Sequence, residues 1–290
     1  MEKNMTALIS LFARYYHTKN SNIKIYSDTY AEQLLSNEEI INISKNMEEG
    51  IKFFNSNYKK DNPLKWIVNN NLAPQILARS IFNKNHLLND IKLGLKQYVI
   101  MACGYDTSAY LVNKSINVYE LDKPDMIEDK IRRIQKSNLE KKNITYIKCD
   151  FNNNWIENLL DTTYDTSKKT YVSLLGISYY LDEDIFFNTI KLLSKNIPSG
   201  SSIIFDYPNE IETSREIINK KLAHGAMCDM KSNYTYESIC KCASDNGLLI
   251  YEHLNSDDIN KYYFYDYNTL NPDNRIYAPK GVSYCLMVKR

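Results

Sequence analysis

The sequence QYVIMACGYDTSAY, residues 97–110, is a short apolar run that enters a glycine-containing turn. This pattern predicts a buried strand followed by a loop at its carboxyl end. Gly104 in that loop would let the backbone approach a ligand closely, although a lone glycine more often marks an ordinary turn.

Apolar runs of strand length continue on the carboxyl side of this stretch, at 116–122, 144–150, 170–177, 201–207, 248–254 and 282–290. Most of them are separated by segments with helical spacing of apolar residues, most clearly DEDIFFNTIKLLSKNI at 182–197. Strands that alternate with helices predict an α/β fold with a parallel sheet covered on both faces. The last two runs lack an obvious helix between them, which predicts an antiparallel hairpin at the sheet edge.

The first 90 residues show helical spacing, as in Leu8 and Leu11, and little strand signal. We therefore expect an N-terminal helical cap at 1–90 and a sheet domain at 91–290. Residues 208–233, which follow the fifth run, are expected to form a cap insertion, and a plain pair of surface helices is the alternative.

The composition excludes several classes of protein. The 36 Lys and Arg and the 35 Asp and Glu among 290 residues give a formal net charge of +1, which argues against nucleic acid as a partner. No apolar run approaches the ~20 residues that span a bilayer, and the apolar N-terminal stretch is too short for a signal peptide. We expect a cytoplasmic protein with no membrane partner. The six cysteines form no CxxC pair and have no accompanying histidine cluster, so we expect reduced thiols and no metal site.

Acidic side chains stand where the second and third strands end. Glu120 and Asp122 close the second run, and Asp150, followed by Phe151, closes the third. Ligands of open α/β sheets bind beyond the carboxyl ends of the strands, where an acid can accept hydrogen bonds from ribose and Asp150 with Phe151 could contact adenine. The alternatives are a solvated strand-end acid and a helix N-cap at Asp150. Together with Gly104, these residues predict a nucleoside-containing cofactor.

The phosphate-binding glycines of a dinucleotide site are missing. The G-x-G-x-x-G pattern seats a pyrophosphate on a helix N-terminus, but here only Gly104 is present, flanked by Ala102 and Ala109. A nicotinamide oxidoreductase is therefore disfavoured. A cofactor without phosphates, such as S-adenosylmethionine, needs no such cradle.

Four sequence blocks resemble, in order, the leucine carboxyl methyltransferase family: QYVIMACGYDTSAY, VYELDKPDMIEDK, YIKCDFNNNWIENL and SLLGISYYLDEDIFFNTIKLLSKNIPSGSSIIFDY. The resemblance covers residues 5–210, and the family also includes bacterial O-methyltransferases of polyketide and other natural-product pathways. It implies the class I, Rossmann-like fold, with a seven-stranded, mostly parallel sheet and helices on both faces. It also implies S-adenosylmethionine as the cofactor.

The resemblance implies roles for individual residues. Arg79 resembles the cap arginine that binds the methionine carboxylate of the cofactor, and Arg14 resembles another basic position of the N-terminal helix. Each arginine could instead be an ordinary surface or helix-boundary residue, and Cys103 a small buried one. The remaining residues at cofactor positions are Ala102, Cys103, Gly104, Glu120, Asp122, Asp150, Phe151, Leu175 and Gly176.

Three positions depart from the family pattern. Ala102 and Ser108 replace the first glycine and the arginine of the family's GxGxDTR turn, and Leu175 replaces the glutamate of its Glu-Gly pair. We expect either weaker cofactor binding or a distinct subgroup. A non-catalytic family member that only binds S-adenosylmethionine is the alternative function.

The candidate catalytic residues are Tyr179, Tyr180 and His224, with core packing as the alternative for the tyrosines. Methyl transfer from a sulfonium is an in-line displacement in which the protein aligns the reactants and excludes water. A carboxylate acceptor is already ionised at neutral pH, whereas a hydroxyl would need a general base. No histidine stands in a motif typical of a base. We therefore expect O-methylation of a carboxylate on a small molecule or peptide, with residues 208–233 lining the acceptor pocket.

Overall fold

The computed structural model describes residues 5–139, 141–225 and 229–290, and a single sheet forms its centre. Its strands are β1 (Gln97–Met101), β2 (Asn117–Asp122), β3 (Ile144–Lys148), β4 (Thr170–Leu174), β5 (Ser202–Pro208), β6 (Leu248–Leu254) and β7 (Val282–Lys289). Within the described ranges these seven strands lie in the order β3-β2-β1-β4-β5-β7-β6. Strands β1 to β5 are parallel to one another, and β7 is antiparallel to both β5 and β6. The prediction of an α/β fold with a mostly parallel sheet is confirmed.

Helices precede the sheet and alternate with its strands. They are α1 (Met5–Asn20), α2 (Ala31–Leu34), α3 (Asn37–Glu49), α4 (Ile51–Phe54), α5 (Pro63–Ile67), α6 (Ala73–Lys92), α7 (Pro124–Lys136), α8 (Trp155–Leu160), α9 (Glu183–Lys195), α10 (Ser214–Gly225), α11 (Tyr236–Asp245), α12 (Ser256–Ile259) and α13 (Tyr265–Leu270). Two π-helical turns, Val68–Leu72 and Asn260–Phe264, join α5 to α6 and α12 to α13. None of the helices in the described ranges is both long and apolar enough to cross a bilayer.

Both faces of the central strands are buried, which explains their nearly continuous apolar sequence. Every residue of β1 and β4 is buried. Val99 and Met101 pack into the apolar core on one face, whereas Tyr98 and Ile100 pack into the core on the other. Parallel strands covered by helices have no solvent-facing side and therefore no polar alternation.

Helix α6 packs on the sheet and on the N-terminal helices at the same time. Ala78 and Phe82 belong to the core that contains Tyr98 and Tyr171 of the sheet. Leu77, on another side of α6, belongs to the core formed with α1 and the following helices. The helical region is therefore continuous with the sheet layer, and the division at residues 1–90 and 91–290 stays a prediction.

A π-helical turn lies inside a helical run that extends from Pro63 to Lys92. Pro74 comes directly after this turn. Proline lacks an amide hydrogen and its ring crowds the preceding helical turn, so a wider turn accommodates it at this point. Such turns often occur beside functional sites. Gln75 and Arg79 stand in the first two turns of α6 that follow.

The edge formed by β6 and β7 differs in part from the prediction. The two strands pair antiparallel as predicted, but β7 lies between β5 and β6, and the connection contains α12 and α13. The prediction of a hairpin without an intervening helix was therefore wrong. The helices were missed because they are only 4 and 6 residues long and a π-helical turn between them interrupts the regular helical period.

The turn after β1 contains two residues with left-handed backbone. Ala102 has a φ of 48° and Gly104 a φ of 44°. Glycine adopts this conformation freely, whereas a residue with a Cβ is strained by roughly 1–2 kcal/mol. A Cβ at Gly104 would also lie 3.3 Å from the Cβ of Ala7. Alanine thus replaces the first glycine of the family turn at a position where glycine would relax the backbone.

Ala102→Gly is expected to raise the free energy of unfolding by up to about 1 kcal/mol, because relief of strain exceeds the extra chain entropy of glycine. Gly104→Ala is the matched control with the opposite expected effect, and it should lower the free energy of unfolding by about 1 kcal/mol or more. Urea denaturation of the three proteins measures both effects. A loss of stability in Ala102→Gly would contradict the assignment of strain.

His17 of α1 makes stability depend on pH. The side chain is buried, its Nε2 accepts a hydrogen bond from the Ile25 amide at 3.0 Å, and its Nδ1 lies 3.0 Å from Ser21 Oγ. Burial, assisted by the charge of Lys24, lowers the pKa of His17 to about 4. The unfolded chain, in which His17 has an ordinary pKa, therefore binds the proton first, and stability is lost as the pH falls through this interval.

Between about pH 7 and pH 4 the wild type should lose about 3 kcal/mol more of its unfolding free energy than His17→Gln, which has no such proton to bind. Urea denaturation at a series of pH values measures the difference. Equal pH slopes for the two proteins would contradict a neutral, buried His17.

Candidate functional site

Asp122 joins the carboxyl ends of β1 and β2. Its Oδ2 accepts a hydrogen bond from the Gly104 amide at 2.8 Å, and its Oδ1 accepts one from the Lys123 amide at 2.7 Å. Burial raises the pKa of the Asp122 carboxyl, and these two amides oppose the rise. A carboxylate has lone pairs beyond two hydrogen bonds, so Asp122 can accept more from a ligand at this edge.

Glu120 points into the protein and forms a buried ion pair. Its Oε2 lies 2.6 Å from Lys130 Nζ of α7, and both side chains are almost fully buried. Lys130 Nζ also donates to the Asp106 carbonyl oxygen at 2.8 Å. The sequence placed both strand-end acids at the ligand. The structure brings Asp122 to the sheet edge and pairs Glu120 with the lysine that contacts the Ala102–Thr107 turn, and the cofactor role of Glu120 stays a prediction.

Arg14 supports the same turn from the side of α1. Its Nη2 donates to the Tyr105 carbonyl oxygen at 2.7 Å, and its Nε donates to Asp28 Oδ2 at 2.8 Å. Thr107 Oγ1 donates to the same carboxylate at 2.8 Å. These contacts place Arg14 against the turn, and the guanidinium is mostly buried there.

Arg79 of α6 reaches the carboxyl end of β4. Gly176 has a φ of 72°, and a Cβ built on it would lie only 2.4 Å from Arg79 Nη1, so the guanidinium rests directly on glycine backbone. Arg79 Nη2 donates to Ser10 Oγ at 3.3 Å, and Nη1 lies 3.7 Å from Asp206 Oδ2. A guanidinium has five N–H donors, so the N–H groups of Arg79 that do not face Ser10 or Asp206 can bind an anion.

Tyr179 connects Asp206 to the outer part of the site. Its hydroxyl donates to Asp206 Oδ2 at 3.0 Å and accepts from Gln75 Nε2 at 2.8 Å. Burial raises the pKa of Tyr179 well above its ordinary value, and the Asp206 carboxylate raises it further. The hydroxyl therefore keeps its proton at neutral pH.

A cavity of about 30 Å³ lies beside Tyr179 and Gln75. Residues after β5 and on α10 form one wall of it, and Gly281 with Val282 form another. The described part of the predicted insertion at 208–233 contains one helix, α10, and residues 226–228 lie outside the described ranges. The polar lining residues are Gln75, Tyr179, Asn209, Glu210, Glu212, Glu216, Asn219, Lys220 and Asn233.

Asp150 and Phe151 follow β3 at the same edge. Asp150 Oδ1 accepts hydrogen bonds from the backbone and side-chain amides of Asn152, at 3.0 and 2.8 Å, and these bonds lower the pKa of Asp150. Phe151 packs against Trp155, with ring centroids 6.0 Å apart. Because α8 begins at Trp155 with Asn154 at its N-cap, the alternative role of Asp150 as a helix N-cap is excluded.

Three other predicted residues have different surroundings. His224 is 81% exposed and pairs with Asp229 at 2.7 Å. Tyr180 is half-buried, with its ring centroid 6.3 Å from that of Tyr179. Cys103 is buried, and burial raises the pKa of its thiol well above the ordinary value. The catalytic roles assigned to Tyr179, Tyr180 and His224 stay predictions.

Four polar residues of the site were not singled out from the sequence. Asp206 comes directly after the apolar residues 203–205 of β5, much as Asp122 follows Leu121 in β2, so the rule that found Asp122 could have found it. Lys130 lies on the buried face of α7, at helical spacing from the apolar residues Met126 and Ile127, which was a weaker indication of a role in the site. Gln75 and Asp28 carry no motif, and only their tertiary contacts reveal them.

Comparison with known proteins places this arrangement in a family. The model of the leucine carboxyl methyltransferase family matches residues 7–194. A candidate S-adenosyl-L-methionine-dependent methyltransferase of Bacillus subtilis (strain 168), YktD, is 36% identical, and the match covers 100% of this chain and 99% of that protein.

Two solved structures share the fold over most of the chain. A DUF574 family protein from Streptomyces avermitilis has a TM-score of 0.60 at 13% identity, with 97% of each chain covered. Magnesium protoporphyrin IX methyltransferase from Synechocystis, solved with bound SAH, has a TM-score of 0.50 at 11% identity, with 86% of this chain and 99% of that chain covered. The family match and the Bacillus subtilis relative confirm what the sequence blocks implied: the chain belongs to the leucine carboxyl methyltransferase family of S-adenosylmethionine-dependent methyltransferases.

Proposed function

We propose that the protein transfers the methyl group of S-adenosylmethionine to a carboxylate oxygen of a small molecule or peptide, which gives a methyl ester. The observation that carries the choice of acceptor is the hydrogen bond that the Tyr179 hydroxyl, beside the cavity, donates to Asp206 Oδ2 at 3.0 Å. Burial raises the pKa of this phenol, so it keeps its proton near neutral pH and is unsuited to remove a proton from an acceptor.

The residues at the sheet edge fit the cofactor. Asp122 would accept hydrogen bonds from the ribose hydroxyls, and Asp150 with Phe151 would hold the adenine. Arg79 would bind the methionine carboxylate above Gly176, where the absence of a Cβ leaves room for the guanidinium. When bound, S-adenosylmethionine supplies an electrophilic methyl group on a sulfonium.

The acceptor follows from the groups around the cavity. None of the described residues that line it is a histidine, and His224 faces solvent in its pair with Asp229. Among the described residues, three glutamates line the cavity: Glu216 accepts from the amides of Thr213 and Gly281, Glu212 pairs with Lys220 at 2.6 Å, and Glu210 is the third. A carboxylate is already ionised at neutral pH and needs no base, whereas a phenol or alcohol would have to lose a proton.

The cavity lining offers hydrogen-bond donors to a carboxylate, although Glu210, Glu212 and Glu216 also line it and Glu212 pairs with Lys220 at 2.6 Å. Gln75, Asn219, Asn233 and Lys220 carry N–H donors. The enclosed volume is only about 30 Å³, so the proposal includes an outward movement of α10 that admits an acceptor. Its return would exclude water from the reacting groups, which is the contribution we assign to the insertion.

Asp122→Asn is expected to weaken binding of S-adenosylmethionine and S-adenosylhomocysteine at least about tenfold, because it removes a charged acceptor for the ribose while keeping the side-chain shape. Asp125→Asn, an exposed acid in the first turn of α7, is the matched control and should bind as the wild type does. Calorimetric titration measures all three proteins.

If the folded wild type bound neither ligand, the proposed site would be wrong as stated. Binding without transfer to any carboxylate would instead support the alternative of a non-catalytic, cofactor-binding family member. Equal affinities of wild type and Asp122→Asn would remove the ribose role of Asp122.

The product should be an ester. Incubation with methyl-labelled cofactor and a panel of small carboxylic acids and peptides with free C-termini is expected to give a product that releases labelled methanol in alkali. Its rate of formation should change little from about pH 6 to pH 8, because the acceptor stays ionised across that interval. A sole product that resists alkali, as a phenolic methyl ether does, would contradict carboxyl methylation.

A further inference from the structure

An acid stands beside the position where this chain has lost the family glutamate. Leu174 of β4 pairs with Phe205 of β5 in the parallel ladder. The next residues along the two strands are therefore Leu175 and Asp206. The register puts Asp206 at the same edge as the leucine, one strand further along the sheet.

Asp206 projects to the face of the sheet that α6 covers. Ile204 and Tyr171 belong to the core that α6 covers. Side chains two residues apart on a strand share a face, which places Asp206 with Ile204, and Leu175 lies directly after the end of β4. The acid that Leu175 lacks is thus present on the neighbouring strand, and it faces the helix that carries Arg79.

The contacts of Asp206 are specific. Its side chain is fully buried, its Oδ1 accepts from the Gly176 amide at 2.6 Å, and its Oδ2 accepts from the Tyr179 hydroxyl at 3.0 Å. Arg79 Nη1 lies 3.7 Å from the same Oδ2. A buried carboxylate with two donors that hold it in place is a fixed anchor for the guanidinium.

We propose that Asp206 is a positioning residue that holds Arg79 above Gly176, ready for the methionine carboxylate of the cofactor, and that it does so in place of an acid at position 175. The inference rests on the proposed cofactor site. Arginine loses much rotamer freedom when it binds a ligand, and an arginine already held by Asp206 and Ser10 has less to lose.

The decisive comparison uses two nucleosides that differ in the methionine end. S-adenosylhomocysteine has the amino acid moiety, whereas 5′-methylthioadenosine lacks it. Asp206→Asn keeps the shape and the acceptor for the Gly176 amide but removes the charge beside Arg79. In calorimetric titration we expect it to raise the dissociation constant of S-adenosylhomocysteine about tenfold. The dissociation constant of 5′-methylthioadenosine should stay within about twofold of the wild-type value.

Asp90→Asn is the matched control. Asp90 is a buried acid of α6, the helix that carries Arg79. Its Oδ1 lies 3.1 Å from Lys169 Nζ, and its Oδ2 accepts a hydrogen bond from Ser202 Oγ at 2.9 Å. Ser202 begins β5, so this pair is at the opposite end of the strand from Asp206. The substitution should lower stability without changing the ratio of the two nucleoside affinities.

A rescue variant separates charge from folding. Leu175→Glu in the Asp206→Asn background returns the acid to the family position and should recover most of the S-adenosylhomocysteine affinity. If Asp206→Asn does not fold, Ser10→Ala provides a second test, because it removes the hydroxyl that Arg79 contacts. It should weaken the binding of S-adenosylhomocysteine about threefold and leave the binding of 5′-methylthioadenosine unchanged.

Equal weakening of both nucleosides by Asp206→Asn would overturn the inference in favour of a purely structural role. Unchanged or tighter S-adenosylhomocysteine binding would also overturn it, because Asp206 would then act as a counter-ion that competes with the ligand. If the wild type bound neither nucleoside, the proposed cofactor site itself would be wrong. That result is distinguishable from the two outcomes that overturn only the role of Asp206.

Discussion

The hydrogen bond from the Gly104 amide to the Asp122 carboxylate joins the ends of β1 and β2, and the rest of the site is arranged around it. It requires the left-handed turn that begins at Ala102. Arg14 holds that turn from α1 through the Tyr105 carbonyl. Without these supports the acid at the end of β2 would have no defined position relative to the turn after β1, and the proposed cofactor site uses both.

Buried charge pairs connect the helices to this edge of the sheet. Glu120 with Lys130 connects β2 to α7, and Arg79 with Asp206 connects α6 to β5. Buried pairs add little net stability compared with apolar packing, but loss of one partner costs about 3–5 kcal/mol because the other charge is left without a partner. Apolar packing alone has little directional preference. We therefore interpret the pairs as devices that fix where the loops and helices stand at the ligand-binding edge.

Much of the site could be predicted from strand ends. Asp122 and Asp150 close apolar runs, and in a parallel sheet such ends meet at one edge, so their proximity followed from the pattern. The pattern could not separate Glu120 from Asp122, since side chains two residues apart share a face and only the buried Lys130 draws one of them inward. The short helices between β6 and β7 were missed for a related reason, because a π-helical turn interrupts the period on which helix prediction depends.

The sequence by itself determined the α/β class, the parallel core and the family, because these depend on local period, strand-end chemistry and the order of motifs along one chain. Only the tertiary structure decided which charges meet. Arg79 and Asp206 are far apart in sequence, and their contact across Gly176 depends on the register of β4 with β5 and on the packing of α6 against that face. Long-range pairing leaves no periodic mark in a sequence, since a side chain selects its partner by position in space.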